Sequence, residues 1–178
     1  MTIIQKPASE QNYTRGRAWP KVDFVVLHLE AGSEVGSIAW FANPAAQVSA
    51  HYSVSKAGTV YQHVQEADTA WANGLTAPYR WADKTKDPGR ACNPNAFTVS
   101  IEHEGQPADI WPDAQVQASA ALVADICRRH GIPIDNTRVI GHATIGGHAA
   151  CPGANCPMDQ IISLAAGTVP AAPDVCTV

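Results

Sequence analysis

The sequence predicts a single α/β domain with a mixed central β-sheet flanked by helices. Three observations lead there: short β-branched apolar runs recur along the chain, segments with a helical apolar period alternate with them, and no internal repeat interrupts the order. At 178 residues the chain is the size of one ordinary domain. Its 46% hydrophobic and 16% charged residues, with 13 Gly and 13 Pro, suit a loop-rich globular protein rather than a disordered one.

Lys21 to Leu27 reads KVDFVVL, the near-continuous apolar run of a central strand buried on both faces, and His28 stands at its end. Val35 to Phe41 has apolar residues at helical spacing and is stopped by Asn43-Pro44. Residues 51–55 and 59–64 are strand-like and separated by Lys56-Ala57-Gly58, which predicts a hairpin. Residues 72–96 are rich in Gly, Pro, Asn and Asp without periodicity and predict a long surface loop, of the kind that in compact domains is usually functional.

Phe97 to Glu102 returns to strand character. From Asp113 the spacing of Val116, Ala120, Val123 and Cys127, widened by Leu122 and Ile126, predicts a long helix ended by Gly131-Ile132-Pro133. Thr137 to Ile140 predicts a strand leading into Gly141-His142. Residues 155–166 predict a last helix, with Asn155 as its cap and Pro157 in its first turn. The expected organisation is one domain over 1–167 and a loosely ordered Pro- and Ala-rich tail over 168–178.

Several function classes are disfavoured. A formal charge of −4, with only local clustering such as Arg128-Arg129 at a helix end, speaks against nucleic acid as a partner. No apolar stretch reaches membrane-spanning length, so no membrane insertion is expected; MTIIQKPASEQ has no signal-like pattern, so synthesis without a signal peptide is expected. Five cysteines form an odd set without a framework and read as thiols, one of them a candidate metal ligand.

His28 and His142 both end apolar strand-like runs, where α/β proteins place functional groups, although each taken alone reads more readily as a structural histidine than as a ligand. The segment GHATIGGHAACPG adds a thiol, Cys151, on a glycine-rich stretch able to turn back toward His142. Two imidazoles and a thiolate form a borderline-soft donor set suited to zinc, and three protein ligands leave a position open for hydrolysis. Cys151 reads alternatively as a buried core thiol.

The segments FVVLHLEAG, SAHYSVSKAGTVYQHV, TAWANG, FTVSIEHEG, RVIGH and CPG, in this order, resemble the type 2 N-acetylmuramoyl-L-alanine amidases, whose fold is shared with peptidoglycan recognition proteins. The resemblance spans about residues 22–165. It implies one catalytic zinc ion held by His28, His142 and Cys151, and a general base and acid at Glu102, with Glu104 the nearby competitor. It implies cleavage of the amide between N-acetylmuramic acid and L-alanine, with bacterial peptidoglycan as partner. Trp71, Asn73 and His51 lie in motifs that imply substrate contact, His51 reading equally as structural. Many relatives carry Lys at the position of Ala149, and neighbouring His148 is the candidate substitute. A phage endolysin acting as a monomer, made in the host cytoplasm and reaching the wall after release, is the expected role. The alternatives are a non-catalytic recognition module, a muropeptide-recycling amidase, and a cysteine hydrolase using Cys151 as nucleophile.

Overall fold

The computed structural model describes residues 1–146, 148 and 150–167; the tail expected to be loose, 168–178, and Ala149 lie outside the described residues. The strands are β1 (Ile3–Gln5), β2 (Tyr13–Thr14), β3 (Phe24–Leu27), β4 (Tyr52–Val54), β5 (Val60–Gln62), β6 (Thr69–Ala70), β7 (Thr98–His103) and β8 (Val139–Gly141). The α-helices are α1 (Glu34–Ala42), α2 (Asp113–His130), α3 (His142–Ile145) and α4 (Met158–Gly167). The main sheet has the order β1-β5-β4-β7-β3-β8; β4 and β5 pair antiparallel and every other neighbour is parallel. β2 and β6 form a separate antiparallel pair.

β3 is hydrogen-bonded on both sides and buried along its whole length, as its unbroken apolar run requires. Its side chains alternate between two cores. Val25 and Leu27, with Val99 and Ile101 of β7, pack against α2 and α4, whereas Phe24 and Val26 pack with Trp81, Phe97 and Ile140 on the opposite face. α2 contributes Val116, Ala120, Leu122, Val123, Ile126 and Cys127 to the first core, and burying each large apolar side chain is worth about 1.5–3 kcal/mol. Gly131, at φ 65°, ends α2 in the left-handed conformation that glycine adopts without strain.

The expected hairpin is present as β4 and β5. Its Gly58 has φ +80°, and a Cβ there would lie 2.7 Å from the Ala114 carbonyl oxygen, so the turn packs directly on the first turn of α2. Most of residues 72–96 run as loop, but Pro94–Phe97 close it with a 3-10 turn. Strands β1, β2 and β6 escape sequence reading because two or three residues carry no measurable period. α4 begins at Met158, three residues later than expected, and Asn155 does not cap it: its Nδ2 donates to the Ala108 carbonyl at 3.0 Å.

The Arg128-Arg129 pair does more than complement a helix dipole. Arg129 bonds Glu66 in the turn after β5, His130 Nε2 lies 2.5 Å from the same carboxylate, and the Tyr52 hydroxyl donates to it at 2.7 Å. Burial alone would raise the Glu66 pKa; hydrogen bonds from Arg129, His130 and Tyr52 outweigh it and hold the carboxyl down at about 2. A pKa depressed on folding stabilises the protein above the ordinary carboxylate range, and that stability is lost as pH falls through the folded value. Glu66→Gln is therefore expected to cost about 2–3 kcal/mol of unfolding free energy at pH 7. In denaturant titrations at a series of pH values, the gap to wild type should close between about pH 4.5 and 2; a pH-independent gap contradicts this account.

Candidate active site

Register assembles the site. Leu27 of β3 is paired with Ile101 of β7 on one side and Gly141 of β8 on the other, so the next residue on each strand, His28, Glu102 and His142, falls at one level. His28 and His142 are 2% and 3% exposed, and their ring centroids are 4.4 Å apart. His28 donates its backbone N–H to the Ile101 carbonyl at 2.8 Å, continuing the ladder past β3. Its carbonyl accepts from Nδ1 of His103 at 2.9 Å, and Nε2 of that ring lies 2.9 Å from the Ser119 hydroxyl on α2.

Cys151 reaches this point through close backbone packing. A Cβ on Gly141 would sit 2.8 Å from Cδ of Pro152, so only glycine lets the Cys151-Pro152 segment lie against the end of β8. The Cys151 carbonyl accepts from Ala143 N at 2.8 Å, and Leu29 N donates to Sγ at 3.3 Å. One donor atom from each of His28, His142 and Cys151 lies within 4.8 Å of the others.

The chemistry of these groups fits a metal ion. His142 Nε2 lies 3.0 Å from the Asn73 carbonyl, which can only accept, so the proton sits there and Nδ1 keeps a free lone pair. His28 Nε2 is buried with no hydrogen-bond partner. Burial, then the neighbouring His142 and His103 rings, push the His28 pKa well below its ordinary value, so the ring is neutral and able to ligate. Burial holds the Cys151 thiol at about 12, which is the opposite of what a thiolate nucleophile needs.

These groups form one wall of a cavity of about 620 Å³, lined also by Leu29, Glu30, Val48, Glu102, Pro107 and His148. Glu102 Oε1 is 3.9 Å from His28 Nδ1, and Oε2 is buried without a partner. Burial and then Glu34 raise the Glu102 pKa to about 8. The sequence competitor Glu104 is engaged elsewhere: its Oε2 accepts from Lys56 N at 2.8 Å in the hairpin turn. His148 is exposed, with its ring centroid 5.4 Å from that of His142.

Three expected substrate contacts are placed differently. His51 has no exposed surface; its Nδ1 accepts from Ser100 N at 3.0 Å and Nε2 lies 2.8 Å from Arg17, so it is a structural histidine. Asn73 is also fully buried, its side chain donating to Thr98 Oγ1 at 3.0 Å while its carbonyl orients His142. Trp71 donates from Nε1 to Thr14 Oγ1 at 2.9 Å and does not line the cavity.

Sequence reading missed Glu30 and Glu34. Glu30 lines the cavity, and its pKa is raised to about 9 by burial and then by Glu34, which the Ser37 hydroxyl offsets only in part. Glu34 is 5% exposed, and burial raises it to about 7. The signal for Glu30 was its position two residues after His28, on the same face of an extended segment.

Two imidazoles, a thiol and a carboxyl at the mouth of parallel strands define a hydrolytic centre on an α/β fold. The N-acetylmuramoyl-L-alanine amidase family model matches residues 18–154. N-acetylmuramoyl-L-alanine amidase A of Achromobacter lyticus is 36% identical over 164 residues, covering 82% of this chain and 81% of that protein. The chain belongs to the N-acetylmuramoyl-L-alanine amidase family and is a peptidoglycan amidase. Among solved structures, a selenomethionine derivative of AmpD superposes with a TM-score of 0.71 at 21% identity, covering 91% of this chain and 93% of that one. AmiD of E. coli, solved with anhydro-N-acetylmuramic acid-L-Ala-D-γ-Glu-L-Lys, has a TM-score of 0.63 at 24% identity, covering 83% of this chain and 58% of that one.

The His103 bridge gives a test of how the site is held. Ser119→Ala leaves the buried His103 Nε2 unpaired and is expected to lower the unfolding free energy by about 1–3 kcal/mol. Denaturant unfolding at neutral pH measures this, and a change within about 0.5 kcal/mol would show that the bridge contributes little.

Proposed function

We propose that this chain is a zinc amidase that hydrolyses the bond between the N-acetylmuramic acid lactyl group and L-alanine, acting as a phage endolysin. The observation that carries the zinc reading is the convergence of His28, His142 and Cys151 donor atoms within 4.8 Å, at the floor of a cavity that also holds Glu102. When bound there, zinc supplies Lewis acidity, polarising the scissile carbonyl and lowering the pKa of water to about 7.

The chain's own groups do the rest. In its ionised form Glu102 accepts a proton from the attacking water and returns it to the departing alanine nitrogen; a C–O bond forms, the C–N bond breaks, and the products are an acid and an amine. The Asn73 carbonyl fixes the His142 tautomer, and the His103 ring fixes the backbone at His28. His148, on the exposed side of the cavity, is the candidate hydrogen-bond donor to the developing oxyanion, since position 149 is Ala in place of the Lys of many relatives.

The endolysin role is supported by the thiol in the third ligand position together with the SIEHEG segment around Glu102. The reading has the protein made in the host cytoplasm, working as a monomer, and reaching the wall after release. Among the described residues no helix is long and apolar enough to cross a membrane.

Zinc analysis after dialysis is expected to give about one ion per wild-type chain and per His51→Gln chain, against none for His142→Ala or Cys151→Ala. Activity that survives chelation but is lost to a thiol blocker would instead mark Cys151 as nucleophile. On purified peptidoglycan, Glu102→Gln is expected to keep its zinc and lose about 10² to 10⁴ in kcat. Mass analysis of the products should show glycan freed of peptide, and an undiminished Glu102→Gln would remove this residue as the base.

A further inference from the structure

We propose that Asn95 is a positioning residue for the metal centre: through the Asn73 peptide it holds the His142 ring in its ligating orientation, which makes the long 72–96 loop part of that centre. The inference rests on the zinc reading of the site. It starts from what supports His142. That residue opens α3, a helix of one turn, which is too short to be rigid on its own. The loop braces it at three points: the Asn73 carbonyl lies against His142 Nε2 at 3.0 Å, Ala82 N donates to the Ile145 carbonyl at 2.8 Å, and Asp83 N donates to the Thr144 carbonyl at 3.0 Å. Trp81, 2% exposed, anchors the same loop in the core it shares with Ile145.

Of the three braces only Asn73 touches the side chain of a proposed ligand, so what holds Asn73 decides where that ring points. The Asn73 side chain donates to Thr98 Oγ1 on β7 at 3.0 Å, and its backbone N–H donates to Asn95 Oδ1 at 3.0 Å. With the Thr98 contact alone, the Asn73 main chain could pivot about its own side chain; the second bond removes that freedom and aims the carbonyl. Asn95 is itself fixed. Its backbone N–H donates to Asn93 Oδ1 at 3.0 Å and its carbonyl accepts from Arg17 Nη1 at 3.2 Å, so its side chain projects from a pinned backbone in the 3-10 turn.

Burial gives this chain of bonds its leverage. Asn73 has no exposed surface and Asn95 is 6% exposed, so the Asn73 N–H has no solvent to turn to when its acceptor is lost. A buried donor left unpaired rotates toward any acceptor within reach, and that rotation moves the carbonyl away from His142. Removing a group that orients a metal-bound imidazole typically costs about 10- to 100-fold in metal affinity. Asn95 acts one bond further out, which places its effect at the lower end of that range.

The test titrates zinc against a competing chelator on the full chain, as wild type, Asn95→Ala, Asn95→Asp and Asn93→Ala. Asn95→Ala is expected to weaken zinc binding about tenfold, and Asn95→Asp, which keeps an oxygen at the Oδ1 position, to stay within about threefold of wild type. Asn93→Ala removes the cap of the same turn without touching Asn73. It is expected to lower the denaturation midpoint yet keep wild-type zinc affinity, which separates positioning from a loss of stability. A second readout needs no metal: proton–nitrogen NMR should show a slowly exchanging His142 Nε2–H in wild type and Asn95→Asp, and lose it in Asn95→Ala. Wild-type zinc affinity in Asn95→Ala, or an equal loss in Asn93→Ala, overturns the role of Asn95 and leaves the zinc site standing. If wild type binds no zinc, the zinc reading falls, and an unchanged His142 Nε2–H signal in Asn95→Ala then overturns the positioning proposal as well.

Discussion

The parallel register of β7, β3 and β8 is the constraint on which the site depends. Pairing Leu27 with both Ile101 and Gly141 brings His28, Glu102 and His142 abreast from three segments distant in sequence. In a parallel pair the side chains at one level share a face, so a one-residue slip on any strand would send its functional side chain into the opposite core. That slip is opposed by packing rather than by the site. Val25, Leu27, Val99 and Ile101 are each fully buried against α2 and α4, and a slip would replace them with the polar residues that alternate with them on β7. The catalytic face can therefore carry Ser100, Thr98 and Glu102 because the other face carries the energy that fixes register.

The cost of this arrangement is visible on the site face. His51, Asn73, Thr98 and Ser100 are buried there, and most are satisfied by specific hydrogen bonds rather than by water. Arg17 ties the region together, donating to the carbonyls of Glu66, Asn95, Ala96 and Thr98. A buried polar layer of this kind stabilises little on balance, but it rigidifies the platform behind His28 and His142, which the proposed metal site needs.

How much of this could be read from the sequence follows from the same physics. β3, α2 and the β4–β5 hairpin were legible because each has a long period, a fully buried run or a turn whose glycine has to take positive φ. His28 and His142 were legible as strand-end residues. That Cys151 meets them was carried by family resemblance, since the contact depends on Pro152 packing against the bare backbone of Gly141. His51 and Asn73 were read as substrate contacts because motif membership does not separate a residue that touches substrate from one that holds a neighbour in place. Burial makes that separation, and burial is a property of the assembled sheet.

The Glu34–Ser53–His63 chain shows how protonation is settled inside such a sheet. Ser53 Oγ lies 2.5 Å from Glu34 Oε1 and 2.8 Å from His63 Nε2, and His63 Nδ1 lies 2.7 Å from the Lys6 carbonyl. A carbonyl only accepts, so Nδ1 carries a proton. If Ser53 gave its single proton to Glu34, Nε2 would need a proton too and the ring would be a buried cation. Burial depresses the His63 pKa to about 4, which disfavours that state near neutrality. Ser53 therefore donates to His63, and Glu34 holds the proton that bridges to Ser53, in keeping with a carboxyl raised to about 7 by burial. A Glu34 that holds its proton at the start of α1 adds no charge beside Glu30 and Glu102, whose own carboxyls burial pushes up to about 9 and about 8, so the three acids lie close together without a side-chain cation lining the cavity.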